Sequence, residues 1–264
     1  TNREMIEKNS HFPADYIAEG VDQTRGWFYT LHVISTLIFN SISYKNVISN
    51  GLVLDKSGQK MSKRLGNSID PFDTLNKFGP DALRWYMISN ANPWENLKFD
   101  LNGIDEIRRK FFGTLHNIYA FFSLYSNIDG YNKDEVMIPY ESRRELDRWI
   151  ISSLNSLIQK VESAYSDYDP TKASRLISHF VQDDLSNWYV RLSRRVFWKG
   201  EYNHEKISAF QTLHECLTKV AIISSPISPF YMDQLFRDLT SDSKSVHLAN
   251  FPKVDSHNID SGLE

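Results

Sequence analysis

The feature that most limits the fold is a change of pattern near residue 100. From Ile104 onward the apolar residues keep helical spacing almost without interruption, and helices are expected at about 103–126, 141–168, 170–200 and 204–238. Asp169-Pro170 marks one start, an N-cap residue followed by proline at the first helical position. The stretch Ser224–Pro229, "SSPISP", should kink or break the last helix. Before residue 100 the elements are short and punctuated by glycine and proline. The chain therefore reads as mainly α: a small α/β part over residues 1–100 and an all-helical part over 101–264.

Within the first part, "ADYIAEG" reads as a short strand stopped by glycine. From Arg25 to Asn40, Trp27, Leu31, Ile34 and Ile38 recur at steps of three or four, which predicts a helix with one buried stripe. Asn46–Leu54, "NVISNGLVL", is β-branched and apolar on both faces and reads as a buried strand, kinked at Asn50-Gly51. Asp70-Pro71 opens a short helix to Lys77, and Gly79-Pro80 ends it and starts "DALRWYMIS".

Directly after the strand comes "SGQKMSKRLGNS", residues 57–68, with Lys60, Lys63 and Arg64 between small flexible residues. Charge alone suits a solvated turn. The small residues on both sides also suit a loop that swings onto an anion, with Lys60 and Lys63 spaced to meet one polyphosphate and Met61 as a flexible apolar anchor. The net charge of −3 gives no global attraction to nucleic acid, so any phosphate binding has to come from local patches. The single cysteine, Cys216, excludes a disulfide within the chain. It fits a reducing compartment. The longest apolar runs, near Ile34–Phe39 and Val220–Ile223, fall far short of the roughly 20 residues a membrane span needs. The chain opens on Thr1 and closes on "SGLE", which reads as a piece of something longer.

"KMSKR" after "NGLVLD", with "AEGVDQTRGWFYTL" upstream, closely resembles the class I aminoacyl-tRNA synthetases of the isoleucyl type. "DALRWYMIS" and "NWYVRLSRRVFW" extend the likeness from about Phe12 to Phe251. The resemblance implies the C-terminal remnant of a Rossmann-like α/β catalytic domain followed by an α-helical bundle that binds the anticodon. It implies that Lys60 and Lys63 contact the phosphates of ATP, with Mg²⁺ brought largely by the nucleotide, and that Arg64 stands where the family often has serine. It also implies that Glu19 touches the aminoacyl-adenylate and that Gly20 lets the backbone approach it. Asp22 would take the ribose hydroxyls, Gln23 polar groups nearby, and Trp27 would pack on the amino-acid side chain. Read locally, the same turn is a strand-to-helix link in which Asp22 caps the helix. The paired-histidine signature of the class does not occur among the eight histidines, so the first half of the nucleotide fold is expected to lie elsewhere. The editing insertion is expected elsewhere too.

In the helical part, Arg191, Arg194, Arg195 and Lys199 lie close to one face, with Trp188, Val190, Phe197 and Trp198 on others. That suits either a solvated stripe or a surface that neutralises tRNA phosphates and stacks an unpaired base. Trp188 is expected to be structural, and Arg143, Arg144, Lys172 and Arg175 are candidates for extending the basic surface. His214 and Cys216 do not make a metal shell, and no metal site is expected. The implied partners are tRNA(Ile), ATP and L-isoleucine for a monomeric, cytoplasmic ligase. Two alternatives remain: a non-catalytic tRNA-binding module, or a ligase of the valyl type.

Overall fold

The computed structural model describes residues 4, 8, 11–241, 244–260, 262 and 263, with the side chain of Lys63 outside the described set. It divides into two compact units.

The first unit comprises residues 1–69 and 90–100. Strand β1 (Ala14–Gly20) runs parallel to β2 (Tyr44–Asn50), in register from Ala14 opposite Tyr44 to Gly20 opposite Asn50. A 3₁₀ turn (Val21–Arg25) and helix α1 (Trp27–Phe39) make the crossover. Two short strands, β3 (Val53–Leu54) and β4 (Leu97–Lys98), form a second parallel pair. The break between β2 and β3 falls where Asn50-Gly51 signalled a kink. Gly51 donates its N–H to the Pro93 carbonyl at 2.8 Å. A Cβ at residue 51 would lie 2.1 Å from the Glu95 carbonyl oxygen, so this close approach of two backbones admits only glycine.

Two expectations for this unit are corrected. The predicted stripe of α1 is not buried: Trp27, Ile34 and Ile38 are 50%, 48% and 66% exposed, while Phe28 and Ser35 turn inward. Nor is Asn46–Leu54 covered on both faces, since Val47, Leu52 and Val53 are exposed. The cause is the same for both. Two-stranded sheets offer too little surface to cover a helix and both faces of a strand, and no described residue supplies the rest.

The second unit, residues 70–89 and 101–264, is all helical. Residues 70–89 thus pack with the long helices, although the sequence pattern groups them with the first 100. Helices α2 (Pro71–Phe78) and α3 (Pro80–Asn90) begin at the predicted prolines. Asp70 Oδ1 accepts from the N–H groups of Phe72 and Asp73 at 2.7 and 3.2 Å, the arrangement an N-cap aspartate provides. Helix α4 (Leu101–Ile107) continues through a π-helical turn, Arg108–Phe112, into α5 (Gly113–Asp129). Then come α6 (Glu145–Ser166) and α7 (Pro170–His179), a long π-helical stretch over Phe180–Val190, and α8 (Arg191–Trp198). Helices α9 (His204–Ser224) and α10 (Pro229–Thr240) flank the predicted break.

The core of this unit is continuous. Trp85 and Phe111 stack with ring centroids 4.1 Å apart, and Ile150, Leu154, Ile158, Tyr189, Phe197 and Phe210 are fully buried. No described helix is long and apolar enough to cross a membrane.

Candidate functional sites

The first site starts from sheet topology. Because β1 and β2 are parallel and in register, the turn after β1 and the segment after β2 leave from the same edge. In α/β sheets the carboxyl ends of parallel strands are where ligands bind. At the end of β1, Glu19 is exposed and pairs in the ladder with Ser49. Asp22 does not cap α1. Gln23 does so instead, its Oε1 accepting from the Trp27 N–H at 2.9 Å, while its amide lies 3.5 Å from Asp22 Oδ2. Asp22 folds back over Gly20, where a Cβ would meet Asp22 Oδ1 at 2.7 Å. The glycine therefore makes room for the aspartate. Asp22 keeps an exposed carboxylate, and Trp27 presents a half-exposed indole at the start of α1.

The basic loop follows β3. Its backbone is far from unconstrained. Asp55 accepts from the N–H groups of Ser57 and Gln59, each at 2.9 Å, and donates its own N–H to the Gln59 carbonyl. Asn67 reaches back across the loop. Its amide donates to Asp55 Oδ2 at 2.8 Å and to the Lys60 carbonyl at 3.3 Å, and its Oδ1 accepts from the Ser62 N–H at 2.8 Å. The Asn67 amide, and after it the Gln59 N–H, hold the Asp55 carboxyl below the usual carboxylate range. Lys63–Leu65 form a short 3₁₀ turn between Ser62 and Asn67. Lys60 and Arg64 are exposed, and no ion pair among the described residues engages either. The side chain of Lys63, a predicted phosphate contact, lies outside the described residues.

The second site is the stripe on α8. Arg191, Arg194 and Arg195 are exposed on the helix, and Lys199 is exposed just past its end in extended backbone. Ser193 and Phe197 face the core. Trp188, expected to be structural, is 54% exposed; its ring lies 5.9 Å from the Arg191 guanidinium, while its neighbour Tyr189 is the buried aromatic. The π-helical geometry before α8 sets this phase, and helical periodicity read at 3.6 residues per turn does not foresee it. Arg194 and Trp198 line an open cleft of about 270 Å³ with Tyr125 and Ser186. Trp188 and Leu192 line another of about 400 Å³ with Trp149.

Two of the four candidate extensions are engaged within the fold. Arg143 is buried, donating to the Ile138 carbonyl at 3.1 Å and to Thr212 at 3.0 Å, and lies 3.3 Å from Glu215. Arg144 is committed to Asp147, inside a network completed by Tyr189 and Ser208. Both guanidiniums serve the fold, because partners from distant helices close around them. Lys172 and Arg175 are exposed, with Arg175 Nε donating to the Ser89 carbonyl at 2.9 Å. His214 bonds the Leu239 carbonyl at 2.9 Å, and Cys216 is buried. Among the described residues no cluster of three histidine, cysteine, aspartate or glutamate side chains could hold a metal ion.

Comparison with known proteins agrees with this layout. Residues 1–100 match the family model of class I tRNA synthetases (I, L, M and V), and residues 147–263 match that of the anticodon-binding domain of tRNA ligase. The chain is 60% identical to the isoleucine–tRNA ligase of Porphyromonas gingivalis, over all of this chain and 23% of that protein. It is 45% identical to the isoleucine–tRNA ligase of Thermus thermophilus, over 96% of this chain and 24% of that one. The chain thus spans about a quarter of the length of these relatives. A leucyl-tRNA synthetase from Agrobacterium radiobacter, solved as a ternary complex with tRNA and LeuAMS, has the same fold over 94% of this chain and 29% of its own, with a TM-score of 0.71 at 18% identity. The chain thus joins a segment that matches the class I tRNA synthetases, residues 1–100, to one that matches the anticodon-binding domain of tRNA ligase, residues 147–263.

Proposed function

We propose that this chain is part of an isoleucine–tRNA ligase that activates isoleucine with ATP and transfers it to tRNA(Ile). The observation that carries the reading is identity of 45–60% to isoleucine–tRNA ligases along essentially the whole chain, across both candidate sites. Residues 1–100 belong functionally to the catalytic domain and 101–264 to the tRNA-binding domain. The protein works in the cytoplasm as a monomer.

The chemistry follows from the residues. The isoleucine carboxylate attacks the α-phosphate of ATP and pyrophosphate leaves. Negative charge builds on the phosphate oxygens in the transition state, and fixed cations there lower the barrier without a protein nucleophile. Lys60, exposed on a tethered loop and in no ion pair among the described residues, suits that task, and Lys63 is its partner. Mg²⁺ would supply further charge neutralisation. Its ligands would come largely from the nucleotide itself, as Mg²⁺ commonly binds through substrate phosphates. Glu19, Gly20, Asp22 and Gln23 hold the adenylate at the edge of the sheet, with Asp22 accepting from ribose hydroxyls. The half-exposed indole of Trp27 packs on the isoleucine side chain. Arg191, Arg194, Arg195 and Lys199 neutralise tRNA phosphates.

Because the described residues form only two separate two-stranded sheets and the paired-histidine signature does not occur in the sequence, the isolated 264-residue chain is expected to catalyse no isoleucine-dependent ATP–pyrophosphate exchange, while the full-length protein does. Exchange by the isolated chain overturns that expectation. Exchange by the full-length protein with valine in preference to isoleucine makes it a valyl-type ligase. Binding of tRNA with no exchange by the full-length protein makes it a non-catalytic module.

A further inference from the structure

The basic loop combines two properties that rarely coincide. Its backbone is committed to hydrogen bonds at several points, while the heads of Lys60 and Arg64 are unengaged among the described residues. A flexible charged turn has free heads on a free backbone. A structural turn has both tied down. Free cations on a fixed backbone are what transition-state stabilisation asks for, since preorganised charges need no reorganisation as the reaction proceeds.

Backbone pairing contributes, through a bridge between Leu54 and Lys60 and the Asp55 N–H to the Gln59 carbonyl, and one side-chain pair does the rest. Asp55 and Asn67 stand 12 residues apart at the two ends of the loop and meet at 2.8 Å. Each also holds backbone on its own side. Asp55 organises the entering turn through Ser57 and Gln59. Asn67 holds the stretch that follows through the Lys60 carbonyl and the Ser62 N–H. Every polar atom of the Asn67 side chain therefore faces the loop, and the Lys60 backbone is held between Asn67 and Leu54.

We propose that Asp55 and Asn67 form a staple that closes the base of the loop and sets where the Lys60–Arg64 turn meets the triphosphate, making both of them positioning residues for adenylate formation. The inference rests on the reading of the loop as a phosphate clamp. Neither residue touches the reacting atoms; each acts through the backbone that carries the lysines.

The test uses the full-length ligase. Asn67→Ala should lower kcat/KM for ATP in isoleucine-dependent pyrophosphate exchange by about 10- to 100-fold, the loss that follows a misplacement of about 1 Å. The KM for isoleucine should stay constant. Transfer from the isolated enzyme–adenylate complex to tRNA should also be unchanged, because no pyrophosphate leaves in that step. A variant that is merely unstable would lose both steps together. Asp55→Asn and Asn67→Asp alone should each be defective, the first by placing two amides face to face and the second two carboxylates. Their combination restores an amide–carboxylate pair with reversed polarity and should recover at least about tenfold of the exchange lost by the weaker single variant. Lys60→Ala is the separate control. If it retains exchange, the phosphate-clamp reading fails. If it abolishes exchange while Asn67→Ala matches the parent, or if the combined variant is no better than the singles, the staple fails and the clamp stands.

Discussion

Asp147 offers the sharpest test of how the helical unit holds its basic surface in place. Its side chain is fully buried at the start of α6. Arg144 Nε donates to it at 2.9 Å, the Tyr189 hydroxyl at 2.8 Å and the Ser208 hydroxyl at 2.7 Å. Arg144 also reaches Ser193 on α8, the helix of Arg191, Arg194 and Arg195, at 3.3 Å. Asp147→Ala leaves the guanidinium without its main partner and Tyr189 with only a 3.3 Å bond to the Ala209 carbonyl. Removing one member of a buried ion pair costs about 3–5 kcal/mol. The lower end, about 3 kcal/mol, applies here, because the Arg144 side chain is 20% exposed and keeps Glu205 at 3.8 Å. With a urea m-value of about 2–3 kcal/mol per M, the unfolding midpoint should fall by about 1–1.5 M, read by the helical circular dichroism signal. Tyr189→Phe removes one hydrogen bond to a charged acceptor and should cost about 1.5–3 kcal/mol. The combination Arg144→Ala with Asp147→Ala should be more stable than the sum of the single losses by at least about 1 kcal/mol. A shift below about 0.5 M for Asp147→Ala, or strictly additive losses in the double variant, would refute the reasoning.

Two further outcomes are expected. In full-length protein binding tRNA, Arg194→Ala should weaken affinity and reduce the slope of log K against log salt by about 1, while Trp198→Ala should weaken binding with the slope intact; a slope unmoved by Arg194→Ala removes that side chain from the phosphate contacts. Burial pushes the Cys216 thiol well above its ordinary range. It should therefore resist iodoacetamide in the folded chain from neutral pH up to about pH 9, reacting only as the chain unfolds, and labelling at the rate of a free thiol in native buffer would contradict its placement.

The elements that were legible in advance are those set by neighbouring residues. Asp70-Pro71 and Asp169-Pro170 start helices because the cap and the fixed proline φ act within one turn. "SSPISP" separates α9 from α10 for the same local reason. Asn50-Gly51 breaks the strand as expected, though the cause, the Pro93–Asn96 backbone pressing on Gly51, comes from residues more than 40 positions away. The basic loop itself was visible as charge between small residues. Its staple was not, because an asparagine amide at residue 67 gives no pattern until the chain folds it onto Asp55.

The sequence by itself therefore determined the change to an all-helical pattern, the helix starts and breaks, the position of the basic loop and the arginines of α8. Periodicity, capping and charge are properties of short windows, and short windows do not depend on the rest of the fold. Tertiary structure alone decided which of those residues are available. It buried Arg143 against partners on another helix, tied Arg144 to Asp147 and Ser193, exposed Trp188 and buried Tyr189 in a π-helical stretch, and left Trp27, Ile34 and Ile38 uncovered on α1. Burial and hydrogen-bond satisfaction depend on what packs opposite a residue, and no residue's own neighbourhood in the chain specifies that.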